Sequence, residues 1–180
     1  MRSVVMGAAI AAIALFFWGF LFWGATTLPY QAMKPVSDVP ALQAALKAAL
    51  PETGVYLLPH PAQGSEEEMG KVMAGGAFGR IIFVREGVTM GGSTFLFGML
   101  HSFVAALFLA LLLRAAAPSS YGAGVTLVVL AGLAGAVYSN LGKPIWYFHP
   151  WPVHVVDFVY DLTSYIVAGL VLAKFVKPGR

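Results

Sequence analysis

VVMGAAIAAIALFFWGFLFW, residues Val4 to Trp23, carries no charge and follows a lone Arg2. A helix of about 20 apolar residues is long enough to cross a hydrocarbon layer roughly 30 Å thick, so the stretch predicts a membrane span. A cleaved signal peptide would have a shorter apolar region, about 7 to 15 residues, leading to a small-x-small exit. This run closes instead on the bulky Phe20, Phe22 and Trp23. Residues 1–25 therefore read as an uncleaved signal-anchor helix.

Three further runs, Phe95 to Leu113, Tyr121 to Tyr138 and Val155 to Val176, are also of spanning length. The expected fold class is membrane α-helical. It is a four-transmembrane-helix bundle with a small α/β extracytoplasmic domain, residues 26–92, inserted between helices 1 and 2, followed by a three-helix region, residues 93–180. Composition agrees: 59% of residues are hydrophobic and 11% charged, where a soluble domain has about 25% charged. The net charge of +3 comes from scattered basic residues, not from a stripe that would bind nucleic acid. With no cysteine, disulfides, thiolate metal sites, iron-sulfur clusters and c-type haem attachment are excluded.

Four spans put both termini on one side. The short segments on that side hold Arg2, Arg114, Lys174, Lys177 and Arg180, and the short loop opposite holds only Lys143, so the positive-inside rule makes the termini cytoplasmic. Lys34, Lys47, Lys71, Arg80 and Arg85 lie in a long loop, which translocates largely regardless of charge. The expected location is the inner membrane of a bacterium, with residues 26–92 periplasmic. Trp18, Trp23, Tyr30, Trp146, Tyr147 and Trp151 would then gather at the outer interface, as an aromatic belt that anchors the helices.

In the periplasmic segment, Leu42, Ala45, Leu46, Ala49 and Leu50 recur at helical spacing after Ser37, a plausible cap, and before the stop at Pro51 and Gly54. Val55 to Leu58 and Arg80 to Val84 read as strands. Between them, Ser65 and Glu68 have capping-box spacing, and Gly75 and Gly76 end a short helix. The strands can pair in parallel if that helix crosses over, or as an antiparallel hairpin. His60, between Pro59 and Pro61, reads as a turn residue. The glycines from Gly87 to Gly92 form a linker and lack the features of a phosphate loop. Gly7 with Ala11, and Gly132 with Ala136, have the small-xxx-small spacing of close helix packing.

The chemistry concentrates at the outer ends of helices 2, 3 and 4, in His101, Ser139, Asn140, Lys143, His149, His154, Asp157 and Asp161. On the fourth helix His154, Asp157 and Asp161 fall at i, i+3 and i+7 and share a face. Asp161 lies inside the apolar span, where a carboxylate costs roughly 2.5 to 3.5 kcal/mol or more unless paired, protonated or wetted. Antiparallel packing of helices 2 and 4 would bring His101 to a similar depth. These residues suit a divalent metal, zinc, iron or manganese, held by His101, His154 and Asp157 with Asp161 as ligand or outer support. They also suit a structural hydrogen-bond network. The segment KPIWYFHPWPVH, residues 143–154, has three prolines and reads as an irregular Trp/Pro-rich loop capping the cluster, where Lys143 and His149 could face an anionic group.

No nucleophile motif is visible, and Asp157 and Asp161, one turn apart on one helix, lack the opposed placement of two-carboxylate catalysis. The layout is similar to that of small bacterial inner-membrane proteins, a likeness that carries no activity. The leading expectation is a non-catalytic accessory, assembly or interaction subunit, whose partners are the lipid bilayer and another membrane or periplasmic protein. The alternative is a metal- or small-ligand-binding membrane protein using the His/Asp cluster. A transporter or proton-relay component comes third, because the inner halves of the helices offer no continuous polar path.

Overall fold

The computed structural model describes residues 1–60 and 64–176, so Pro61, Lys177 and Arg180 lie outside the described residues. Among the described residues, four helices are long and apolar enough to cross a membrane: Arg2–Ala25, Gly92–Ala116, Tyr121–Tyr147 and Trp151–Phe175. The chain divides into two compact units, one of Met1–Lys34 with Gly91–Arg180, the other Pro35–Met90.

The first unit contains α1 (Arg2–Gly19), extended by a π-helical segment Phe20–Ala25, and the short α2 (Leu28–Gln31). After the second unit come α5 (Gly92–Ala116), α6 (Tyr121–Ala136), a second π-helical segment Val137–Leu141, α7 (Gly142–Tyr147) and α8 (Trp151–Phe175). α8 packs between α1 and α6, and α5 packs chiefly on α1. The packed seam is built from small side chains: Ala8 and Ala11 of α1, Ala106 and Ala110 of α5, and Ala168 of α8, with Val4, Leu113, Val128 and Leu172 filling between them. Small residues let backbones approach when lipid offers no hydrophobic drive, and both small-xxx-small pairs are buried as their spacing implies. A Cβ added at Gly7 would stand 3.1 Å from Val176 Cγ2, and one at Gly132 would fall within the Tyr165 ring.

Helix direction follows from contacts at the two ends. The Arg114 guanidinium donates to Met1 Sδ, and Phe16 packs edge-on against Phe95, so α1 and α5 are antiparallel. Gly7 lies against Phe175 and Val176, so α1 and α8 are antiparallel too. α5 and α8 therefore run parallel, not antiparallel as the sequence reading had it, because two helices packed against the same neighbour in the same sense share a direction.

The proline-rich stretch is also more regular than expected. Residues up to Tyr147 are helical, the chain reverses through Phe148, which takes a left-handed φ of 55°, and α8 starts at Trp151. Pro152 occupies the first turn of α8, where a missing N–H breaks no helical hydrogen bond, and Pro144 directly follows the π-helical segment inside the continuous helix Tyr121–Tyr147. Only the turn between them is irregular.

The second unit holds α3 (Val39–Ala49), β1 (Gly54–Leu58), α4 (Glu66–Gly75) and β2 (Gly79–Phe83). Asp38, not Ser37, caps α3: its Oδ1 accepts from Ala41 N at 2.9 Å. The strands pair antiparallel, with Val55 opposite Ile82 and Leu57 opposite Arg80. A parallel pair would need α4 to cross over and pack on the sheet, yet neither α3 nor α4 contributes a buried residue. Polar ties do much of the joining. The Arg85 guanidinium donates to Lys47 O and Leu50 O at 2.8 Å, closing the carbonyl end of α3, and Thr53 accepts from Arg85 N while donating to Glu86.

The capping box is present in both directions. Glu68 N reaches Ser65 Oγ at 3.3 Å, and Glu68 Oε2 accepts from Ser65 N at 2.8 Å. These bonds hold the Glu68 carboxyl below its ordinary 4.5, the Ser65 backbone N–H being the larger cause and its hydroxyl the next. A carboxyl depressed in the folded state adds stability above its unfolded value, and that stability is lost as pH falls through the folded value. Protection of the first-turn amides of α4, measured relative to their intrinsic exchange rates at each pH, is therefore expected to fall on acidification below about pH 4.5. Glu68→Gln, which removes the titrating carboxyl, should abolish that pH dependence; an unchanged profile would show that Glu68 does not secure the turn.

Candidate functional site

The shared face of α8 exists as its spacing predicts, and it carries two distinct polar groups. At its first turn His154 is buried, with 7% exposure. Its Nδ1 stands 3.5 Å from Asp157 Oδ2, too long for a good hydrogen bond, and has no other partner. Its Nε2 stands 2.9 Å from Nδ1 of His149, and the two rings have centroids 5.1 Å apart at an interplanar angle of 23°. With that centroid spacing the facing nitrogens lie close to the line between the rings, so an N–H on one points at the lone pair on the other. This is the geometry of an N–H···N bond. Two imidazoles on a tetrahedral zinc would hold their nitrogens roughly 3.3 Å apart with lone pairs converging. The Asp157 carboxylate favours the proton on His154 Nδ1, which leaves Nε2 to accept from the His149 N–H.

Two turns further along, Asp161 Oδ2 accepts from Asn140 Nδ2 at 2.7 Å. Asn140 is 5% exposed and sits in the π-helical segment Val137–Leu141. A π-turn inserts a residue into the helical register and re-aims the side chains that follow it, and such turns are frequent at functional sites. Asp161 also lines a crevice of about 140 Å³ walled by α1, α5 and α8, together with His101, Ser102, Tyr160, Ser164 and Tyr165. His101 and Asp161 face the same space because each lies just before the midpoint of a 25-residue helix, and the two helices run in the same direction. The serine protons are committed. Ser102 Oγ donates to Gly98 O at 3.0 Å and Ser164 Oγ to Tyr160 O at 2.8 Å.

Aromatic residues close the end of this unit. Tyr160 packs against Phe22 and Trp23, with centroids 5.1 and 5.5 Å away. Trp18 Nε1 donates to Thr163 Oγ1 at 3.2 Å. Trp18 and Trp23, expected as belt anchors, thus pack against α8. Trp146, Tyr147 and Trp151 remain exposed.

The proposed metal ligands divide between the two groups, His154 with Asp157 and His101 with Asp161. Among the described residues no three His, Asp or Glu side chains stand close enough to hold a metal ion. Lys143 lines a groove of about 480 Å³ with Tyr138, Ser139 and Trp146, and acts on His154 and Asp161 through space and not by direct contact. The sequence reading missed Ser102 and Tyr160 as lining residues. Asp161, Ser164, Tyr165 and Ala168 fall at i, i+3, i+4 and i+7, a pattern that could have revealed the α8 wall. Ser102 has no such signal, because a neighbour at i+1 on a helix normally faces elsewhere. No protein-family model, no curated protein and no solved structure matches this chain.

Proposed function

We propose that this chain is a multi-pass protein of a bacterial inner membrane that binds a small ligand in its helical unit without transforming it. The observation that carries the reading is the Asp161 carboxylate, held by buried Asn140 and turned to a crevice it shares with His101. A carboxylate midway along a spanning helix is expensive, and a site that uses it is the default explanation for keeping it there. Binding is favoured over transport because the seam toward the Met1 and Arg114 end is closed by apolar residues, among them Ala8, Ala106, Ala168 and Leu172. It is favoured over catalysis because Asp157 and Asp161 project from one helix, one turn apart, and cannot flank a scissile bond.

In this reading both termini are cytoplasmic and residues 26–92 periplasmic, supported by Arg2, Arg114 and Lys174 at one end of the helices. The chain has no native cysteine, so single replacements report its orientation directly. A membrane-impermeant maleimide applied to spheroplasts should label Glu52→Cys and leave Ser119→Cys unlabelled; the reverse pattern would invert the topology. For the site itself, native mass spectrometry of protein extracted gently from its membrane should show an added small-molecule mass that Asp161→Asn loses. A bare wild-type mass would remove the ligand-binding reading.

A second reading, an accessory subunit that docks a partner protein, draws on the second unit. Val55 and Ile82 lie opposite each other on the sheet and are 66% and 77% exposed. A two-stranded sheet is marginal by itself, so an apolar face of this kind is suited to burial against another protein. Photocrosslinking from position 82 in intact membranes should then trap one protein band, and a ladder of unrelated bands would argue against it.

A further inference from the structure

We infer that the crevice between α1, α5 and α8 takes a small primary-amine cation, with its ammonium group at Asp161, Ser102 and Ser164 and its hydrocarbon part against Leu15, Ala105 and Leu109. The inference rests on the ligand-binding reading above and names the ligand class. It follows from counting what the walls offer. Ser102 and Ser164 spend their only protons on the carbonyls of Gly98 and Tyr160, so each presents lone pairs alone. Asp161 takes one bond from Asn140 on Oδ2, and its carboxylate keeps further acceptor capacity. The polar wall therefore asks for hydrogen-bond donors, and an ammonium group brings three with no acceptor. His101 and the hydroxyls of Tyr160 and Tyr165 can act in either sense and do not reverse the balance.

Charge leads to the same class. Among the described residues no Lys, Arg or His side chain stands within pairing distance of Asp161, and Lys143 acts on it only from farther away. One carboxylate calls for one positive charge. Calcium would want six to eight oxygens, and magnesium an octahedral set, which this wall does not supply. An anion or a carbonyl-bearing ligand would meet lone pairs with lone pairs. Leu15, Ala105 and Leu109 complete the crevice with an apolar surface that suits a chain of a few carbons. The hydrocarbon then gains burial while the charge is neutralised in a poorly hydrated place.

The test is isothermal titration of the full-length protein in lipid nanodiscs with n-butylammonium, using n-butanol, butyrate, sodium and potassium as comparison probes. Saturable one-to-one binding of butylammonium is expected, with none of the other four competing at equal concentration. Asp161→Asn keeps an acceptor for Asn140 and should weaken binding about 100-fold, as expected for loss of one member of a desolvated charge pair. Ser164→Ala should weaken it about tenfold. Ala105→Phe fills the apolar end without touching the carboxylate and should abolish binding, which keeps the test open should Asp161→Asn fold poorly. Equal binding of butanol, competition by sodium or potassium, or wild-type affinity in Ala105→Phe would each overturn the assignment. If native mass spectrometry shows a bound ligand while butylammonium fails to bind, only the amine class falls; if both fail, the ligand-binding reading falls with it.

Discussion

Gly132→Ala is expected to destabilise the helical unit by about 3 kcal/mol, the upper end of the usual range for overpacking. The Tyr165 ring of α8 lies where the new methyl group would stand, so α6 and α8 could keep their contact only if the ring left its place. That ring also lines the crevice, and the displacement should loosen the Asn140–Asp161 bond between the same two helices. Gly135 provides the control on the same helix. A Cβ there meets nothing within 4 Å, and Gly135→Ala should be neutral or stabilising by up to about 1 kcal/mol through helix propensity. Thermal unfolding in detergent micelles compares the two, and Tyr165→Leu combined with Gly132→Ala should recover part of the loss. Equal melting temperatures for the two glycine variants would mean that α6 and α8 do not approach this closely.

The second large effect is expected at the amide that holds the carboxylate. Asn140→Leu removes the donor 2.7 Å from Asp161 Oδ2 and leaves the carboxyl facing a hydrocarbon side chain. Stranding a buried polar group in this way costs about 1 to 3 kcal/mol, and more for a charged one, so a loss near 3 kcal/mol is anticipated. The double variant Asn140→Leu, Asp161→Leu replaces both partners with apolar groups and should return close to wild-type stability, because removal of a whole buried pair is often neutral. The cycle of four proteins isolates the coupling energy. A double variant as unstable as the sum of the single ones would show that Asn140 and Asp161 act independently. It would also sink the view that Asn140 is there to hold the carboxylate.

The Ser65–Glu68 box shows how far local chemistry reaches. Four consecutive residues contain both halves of the cap, so the pattern alone predicts the helix that follows, and α4 begins where it should. The same holds for the four apolar runs, because hydrophobicity over some 20 residues depends on nothing outside the run. Strand pairing is different. β1 and β2 are legible as apolar stretches, but their antiparallel sense depends on whether α4 packs against them, which no residue within either strand encodes.

Spacing along α8 likewise predicts that His154, Asp157 and Asp161 share a face, since a helix of 3.6 residues per turn leaves no alternative. It does not say which partners meet them. Asn140 reaches Asp161 through a π-helical turn, and one extra residue in the register is invisible in the apolar periodicity of α6. His149 meets His154 because the chain reverses at Phe148. His101 and Asp161 share a crevice because α5 and α8 both pack against α1 in the same sense. The amino-acid sequence by itself thus determined the four long apolar helices, the Ser65–Glu68 capping box and the shared face of α8, all set by neighbours within one or two turns. Only the tertiary structure decided which helices pack together, which way the strands pair and which polar groups converge. The helix packing depends on close backbone approach at residues such as Gly7 and Gly132, whose effect exists only once a second helix is in place.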